Sequence, residues 1–255
     1  LQGILEKEEL CKNLSMEEKK KAFKEIHDML GGNMKLMISG AASLNSEIEE
    51  RYRKLGLNLV QGYGLTETSP VLCCNPVNGQ DYPGTIGFPF PNTDLKVIDD
   101  DGNDLGIEKV GELCVKGPQV MAGYWNKPEE TTHALQDGWF KTGDIGMILE
   151  NGTIKIVDRK KDMIVVSGFK VFPNEIEDIF SKHPGVLEVA AIGVPDEKST
   201  EAVKVFIVKK DPKLTEEDLR LFAEENFTHY KLPKYYEFRT ELPKTNVGKT
   251  LRRKL

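Results

Sequence analysis

The sequence predicts a three-part fold: an α/β layer, a small β-barrel subdomain, and a compact α+β domain at the C-terminal end. Between residues 35 and 60 two short apolar runs flank one amphipathic stretch, which is the strand–helix–strand rhythm of an α/β layer. Between residues 83 and 158 turn signals such as Asp101-Gly102-Asn103 punctuate short runs of period-2 alternation, the texture of a small barrel or sandwich. From Pro173 onward, helix-start and helix-stop signals bracket acidic helices around two apolar strands. The same punctuation divides the chain into residues 1–82, 83–158, a connector at 159–162, and 163–255.

Bulk properties narrow the function classes. A length of 255 residues fits two domains, and 39% hydrophobic with 30% charged residues describes an ordinary globular protein, not a disordered one. A net charge of -6 argues against a nucleic-acid partner, which selects a basic face. No apolar run reaches the roughly 18 residues that span a bilayer. The chain starts at Leu1 without Met or a signal-like region, so it is expected to be a fragment or a processed product. Cys11, Cys73, Cys74 and Cys114 have no CxxC spacing and no nearby His cluster, which predicts reduced structural thiols in a cytoplasmic protein and no zinc site.

Along the chain, Ser15-Met16-Glu17-Glu18 is a capping-box pattern whose helix should run to Gly31-Gly32. Residues 35–39 read as a short buried strand ending in Gly40-Ala41-Ala42, where small side chains suit either a flat ligand or a tight turn. A helix over residues 45–55 should bury Ile48, Tyr52 and Leu55, and residues 57–60 form the next strand. At its end stands Gln61-Gly62-Tyr63-Gly64-Leu65-Thr66-Glu67. Glycines flanking Tyr63 leave a ring face open for stacking on a planar base, Thr66 can donate to a phosphate oxygen, and Glu67 is a hard ligand for Mg²⁺. A plain turn accounts for the spacing equally well. The partial G-x-G is no dinucleotide fingerprint, since Glu67 replaces the third glycine.

In the middle part, residues 94–98, 112–116 and 145–149 read as strands. Asp144, after Gly143 in a strand-entry turn, can accept both hydroxyls of a ribose, although an Asx turn explains Thr-Gly-Asp too. The elbow Asp158-Arg159-Lys160-Lys161-Asp162 joins two apolar strands without Gly or Pro, which suggests a solvated connector with Arg159 held for a ligand; a polar hairpin turn is the alternative. Pro173 suits a first helical position, Lys182-His183-Pro184-Gly185 a stop, residues 186–194 and 202–209 strands, and Thr215 the cap of another helix. Gly248-Lys249-Thr250 is not a Walker A loop, because Pro243 stands where its first glycine belongs. A glycine-supported Lys249 can still bring a positive charge to a carboxylate and a phosphate; a solvated lysine is the alternative.

Four motifs in order, QGYGLTE (61–67), WFKTGD (139–144), IVDRKKDMIVVSGFKVFPNEIE (156–177) and LPKTNVGK (242–249), resemble the core motifs of the adenylate-forming superfamily. Acyl-CoA synthetases, luciferase and peptide-synthetase adenylation domains belong to it. GELCVKGPQVMAGYWNKPEET (111–131) is a further match, and the likeness is greatest to bacterial long-chain fatty acid–CoA ligases. It implies that a fatty carboxylate attacks the α-phosphate of ATP, with release of pyrophosphate, and that CoA then displaces AMP after the small domain turns. On this resemblance Tyr63 would stack on adenine beside Gly62 and Ile156, with Gly40, Ala41 and Ala42 lining the pocket. Thr66 would touch the α-phosphate and Glu67 would hold Mg²⁺. Asp144 and Arg159 would bind the ribose, and Gly64 would lie by the acyl channel. Lys161 would be the hinge, Gly168 would let pantetheine pass, and Lys249 would serve the first half-reaction.

The family's phosphate loop, SGTTGxPK in form, is absent from these residues. The expectation is therefore a C-terminal portion that needs the N-terminal half of the same enzyme and does not adenylate alone. The resemblance also implies peripheral contact with the inner face of the membrane, although no basic amphipathic helix marks one. Two other readings stay open: a ligase for a different acyl or aryl acid, separable by a substrate panel, and a non-catalytic nucleotide-binding module of the same fold, separable by nucleotide titration.

Overall fold

The computed structural model describes residues 13–42, 44, 46–77, 82–245, 248 and 250–255. The chain forms two compact units, one running up to Thr142 and including Gly146–Ile156, the other combining Gly143–Ile145 with Val157–Leu255.

The first unit opens with the predicted capping box. The Ser15 hydroxyl accepts the Glu18 amide, and the Glu18 carboxylate accepts the Ser15 amide in return. The expected single helix is two, Met16–Ala22 (α1) and Lys24–Met29 (α2), separated by Phe23, which leaves the helical region at φ -105° and is buried. Strand β1 (Met37–Ser39) is not a buried strand, since Ile38 remains 61% exposed. Helix α3 (Ser46–Lys54) corrects a second expectation. Ile48 faces solvent, and the fully buried position next to it is Glu49, whose carboxylate accepts the Gln61 side-chain amide at 2.9 Å. A buried carboxylate survives only with such a partner. Gln61 belongs to β2 (Leu59–Gly64), which runs parallel to β1 with Ser39 opposite Gln61.

Strands β3 (Val71–Cys74) and β4 (Phe88–Pro89) complete a sheet of order β1-β2-β3-β4. A second sheet holds β5 (Asp94–Ile98), β6 (Gly111–Lys116), β7 (Leu135–Gln136), β8 (Trp139–Ile148) and β9 (Ile154–Arg159), ordered β5-β6-β8-β7 with β9 on β8. Helix α4 (Pro128–Ala134), started by its proline, leads into β7. Leu72, Val97, Leu113, Val115, Phe140 and Ile154 from both sheets share one core, which the Ile86 amide reinforces by donating to the Ile154 carbonyl at 2.8 Å. Cys73 is buried there as a free thiol, and burial pushes it up to about 12, so it packs as an apolar group; Cys114 on β6 is buried too.

In the second unit, β10 (Ile164–Val166), β11 (Phe169–Val171), β12 (Val186–Asp196), β13 (Thr200–Lys209) and β14 (Tyr235–Arg239) form a sheet of order β11-β10-β13-β12, with β14 parallel to β13. Helices α5 (Pro173–Phe180) and α6 (Glu216–Asn226) cover one face, burying Ile176, Phe180, Leu219 and Ala223 against Val203, Val205 and Ile207. On the other face Phe206 and Val208 pack with Ala190 and Leu242. Burial on both faces explains why β13 reads as a nearly unbroken apolar run. Thr215 caps α6 through a reciprocal bond with Asp218. Replacing Thr215 with Ala is expected to cost about 1 kcal/mol, read as a lowered urea midpoint at unchanged slope. No helix among the described residues is long and apolar enough to cross a membrane.

Candidate active site

In the first unit the predicted residues gather at the carboxyl ends of the parallel strands, where an α/β sheet leaves room for ligands. Gly40 follows β1, and a Cβ on it would stand 3.2 Å from the Gly62 carbonyl oxygen; a Cβ on Gly62 would meet Ile38 Cγ2 at 3.3 Å. These two glycines let the strand ends approach. Ala41 (φ 65°) and Ala42 are exposed beyond them. Tyr63 on β2 and Ile156 on β9 are half-buried and pack on the same apolar core.

Gly64 is required for a different reason. A Cβ there would fall 1.8 Å from the Pro70 carbonyl oxygen, at the register slip between β2 and β3. That carbonyl is immobile, because it accepts the Leu65 amide at 2.9 Å and the Thr68 hydroxyl at 2.6 Å. The turn so clamped is a single 3₁₀ turn, Thr66–Thr68, which leaves Thr66 exposed and Glu67 half-exposed.

Glu67 has a fixed partner. The Tyr124 hydroxyl donates to Glu67 Oε1 at 2.9 Å, and the Glu67 carbonyl accepts the Met121 amide at 2.8 Å. Burial, then the hydrogen bond to Glu67 and its charge, raise the Tyr124 phenol above its ordinary value, which keeps it a donor. The Gly123-Tyr124 turn is itself pinned: Thr131 accepts the Tyr124 amide at 2.9 Å, and a Cβ on Gly123 would strike Thr131 Cγ2 at 2.7 Å. Among the described residues no three His, Cys, Asp or Glu side chains gather into a metal cage. One carboxylate held in place nonetheless fits Mg²⁺, which binds through one or two carboxylates and completes its shell with phosphate oxygens and water.

In the second unit Asp144 is buried and Arg159 Nε lies 3.6 Å from its Oδ1, with the arginine side chain 43% exposed. Asp144 does not stand in a strand-entry turn. Strand β8 runs through it, and Gly143 takes a left-handed φ of 72° inside the strand, which redirects the chain at that point. The Asp144 carboxylate can accept from neighbouring hydroxyls, and the accessible Arg159 guanidinium beside it can donate to them. The elbow is a 3₁₀ turn, Lys160–Asp162, with Lys161 exposed. Ser167 (φ 50°) and Gly168 (φ 86°) form the two-residue link between β10 and β11, and both have the positive φ that a type I′ turn requires. A Cβ on Gly168 would meet nothing within 4 Å, so backbone conformation alone calls for glycine there.

Lys249 lies outside the described residues, together with Asn246 and Val247. The neck of its loop is described. Lys244 bridges Thr250, the Leu251 amide donates to the Pro243 carbonyl at 2.7 Å, and the Gly248 amide donates to the Thr245 carbonyl at 2.9 Å.

Two family models match the chain: residues 6–125 fit the AMP-binding enzyme and residues 175–249 the AMP-binding enzyme C-terminal domain. The chain belongs to the AMP-binding enzyme family. The long-chain-fatty-acid–CoA ligase of Escherichia coli O6:H1 is 52% identical over 233 residues, covering 91% of this chain and 42% of that protein. Crystalline ATP-bound MatB from Rhodopseudomonas palustris superposes with a TM-score of 0.83 at 35% identity, over 87% of this chain and 45% of MatB. The O-succinylbenzoate coenzyme A synthetase of Bacillus subtilis, solved with ATP and magnesium, gives a TM-score of 0.78 at 28% identity, over 86% and 46% of the two chains. The chain thus spans less than half the length of the relatives it matches, and it has their adenylate-forming fold.

In this AMP-binding enzyme chain, sequence reasoning missed Tyr124. Its motif was visible, but its partner Glu67 is 57 residues away and nothing local connects them. Asn174 and Arg252, described below, were missed for the same reason.

Proposed function

We propose that this chain forms part of an ATP-dependent long-chain fatty acid–CoA ligase, which converts fatty acid, ATP and CoA to acyl-CoA, AMP and pyrophosphate through an acyl-adenylate. The 52% identity to a long-chain-fatty-acid–CoA ligase across 91% of the chain carries this reading. The residues supply positioning and electrostatics, the usual means for phosphoryl-type chemistry. Tyr63, with Gly62, Ile156 and the Gly40–Ala42 turn, offers an aromatic face and flat walls to adenine. Asp144 accepts ribose hydroxyls and Arg159 donates to them. Thr66 donates to the α-phosphate. Mg²⁺ would be held by Glu67 and would neutralise phosphate charge. Lys249 brings a cation to the attacking carboxylate. Lys161 supplies the hinge at 159–162 about which residues 163–255 turn between half-reactions, Gly168 leaves a path for pantetheine, and Gly64 borders the acyl channel.

The test is a carboxylic-acid panel on the longer protein that contains this chain, with acyl-CoA and pyrophosphate both measured. Long-chain fatty acids should give the highest kcat/KM; an aryl or short acid in first place would transfer the chain to another ligase of the same fold. The 255-residue polypeptide alone carries no phosphate loop of the SGTTGxPK form and should release no pyrophosphate. Release above the no-enzyme rate would refute that expectation. Nucleotide binding without turnover in the longer protein would favour a non-catalytic module.

Replacing Tyr124 with Phe keeps the ring and removes the hydroxyl that holds Glu67. One such bond is worth about 1 kcal/mol. The Mg²⁺ concentration for half-maximal adenylation should therefore rise about fivefold. An unchanged Mg²⁺ titration would dismiss the orienting role.

A further inference from the structure

Arg252 has no part in the chemistry above, yet it is the most heavily bonded cation among the described residues. Its Nε donates to Glu177 Oε1 at 3.1 Å and its Nη2 to Glu177 Oε2 at 2.8 Å, a bidentate fork on α5. Nη2 also donates to Asn174 Oδ1 at 2.6 Å, and Nη1 donates to Asp162 Oδ2 at 3.2 Å. Asp158 Oδ1 lies 3.7 Å from Nη1. The arginine side chain is only 16% exposed and that of Asp158 is fully buried. Every one of these residues is in the second unit.

The three carboxylates come from different places. Asp158 is the last residue but one of β9 and accepts the Arg159 and Asn174 amides at 2.7 Å each; Asp162 closes the elbow; Glu177 also accepts the Ala191 amide of β12 at 2.9 Å. Three like charges converging on one point repel unless a cation stands between them. A planar guanidinium with five donors can serve several of them at once, which a lysine ammonium cannot match. Arg252 begins the terminal 3₁₀ turn Arg252–Lys254, directly after the neck that closes at Pro243 and Leu251. Leu255 packs beside Leu242 on the far side.

We infer that Arg252 is a positioning residue: its guanidinium locks the end of the Lys249 loop to Asp162 and Glu177, both on the C-terminal side of Lys161, so that the loop and the end of the elbow move together, and its contact with Asp158 belongs to the arrangement seen here. The inference rests on the ligase reading for its effect on catalysis, but not for the lock itself. The pairing explains why the elbow can be charged and solvated yet held in a definite turn.

The lock is tested by hydrogen exchange on the 255-residue chain carrying R252K or R252Q. R252K keeps the charge and loses the fork, so it serves if R252Q does not fold. Exchange at residues 160–163 and 250–255 should rise together, by about tenfold, while β12 and β13 stay protected. A rise in one segment alone, or in neither, overturns the inference. In the longer protein, R252K should lower ATP–pyrophosphate exchange about tenfold with little change in KM for ATP. Acyl transfer to CoA from supplied acyl-adenylate should be spared. Equal loss in both half-reactions marks a merely structural role and also overturns it. If the unmutated longer protein forms no acyl-adenylate, the ligase reading fails, and the exchange pattern still decides on the lock.

Discussion

If the proposed ligase reading holds, Lys249→Ala in the longer protein should lower acyl-adenylate formation by about 10²–10³-fold, the usual loss when one charge-stabilising donor is removed from a transition state. The carboxylate and the α-phosphate are both anionic, and their encounter needs a cation between them. Thioester formation has no such pairing, since the attacking thiol meets an already neutral acyl carbon. Acyl transfer from supplied acyl-adenylate should therefore stay near the unmutated rate. Equal loss in both half-reactions would remove Lys249 from its assigned role. The thermal midpoint should be unchanged, because the neck of the loop is held by backbone bonds at Pro243 and Leu251 and by packing at Leu242 and Leu255.

Gly64→Ala is expected to damage the first unit severely. The added carbon would fall 1.8 Å from the Pro70 carbonyl oxygen and 2.6 Å from its carbon, both backbone atoms. Relief would have to come from parting β2 and β3, but Pro70 is held by Leu65 and Thr68. Overpacking of this kind costs about 3 kcal/mol. Because the same turn carries Thr66 and Glu67, the variant should also need more Mg²⁺ for adenylation. Gly168→Ala is the control. Its Cβ would meet nothing, and only the left-handed backbone at φ 86° resists it, at about 1 kcal/mol. Urea melts of the two variants compare these costs directly; similar midpoints would contradict the packing argument.

Much of the fold was legible because its signals are local. The Ser15 and Thr215 capping boxes, Pro173 at a helix start and the strand at Asp94–Ile98 all lie where their residue types demand. Failures occurred where a distant partner overrode local preference. Helical periodicity pointed Ile48 inward, but Gln61 stabilises a buried Glu49 instead. Thr142-Gly143-Asp144 has turn chemistry, yet pairing across the sheet keeps β8 continuous and Gly143 absorbs the bend.

Motif order and spacing are properties of the linear chain, and they were enough to reach the adenylate-forming fold and most of the residues proposed to meet nucleotide. They could not reveal who holds those residues still. The hydroxyl that fixes Glu67 lies 57 residues from it, and the guanidinium that gathers the elbow lies 90 residues from Asp162 and 75 from Glu177. Such partners are chosen by the packing of strands and helices, because a hydrogen bond is sensitive to a few tenths of an ångström and indifferent to separation along the chain.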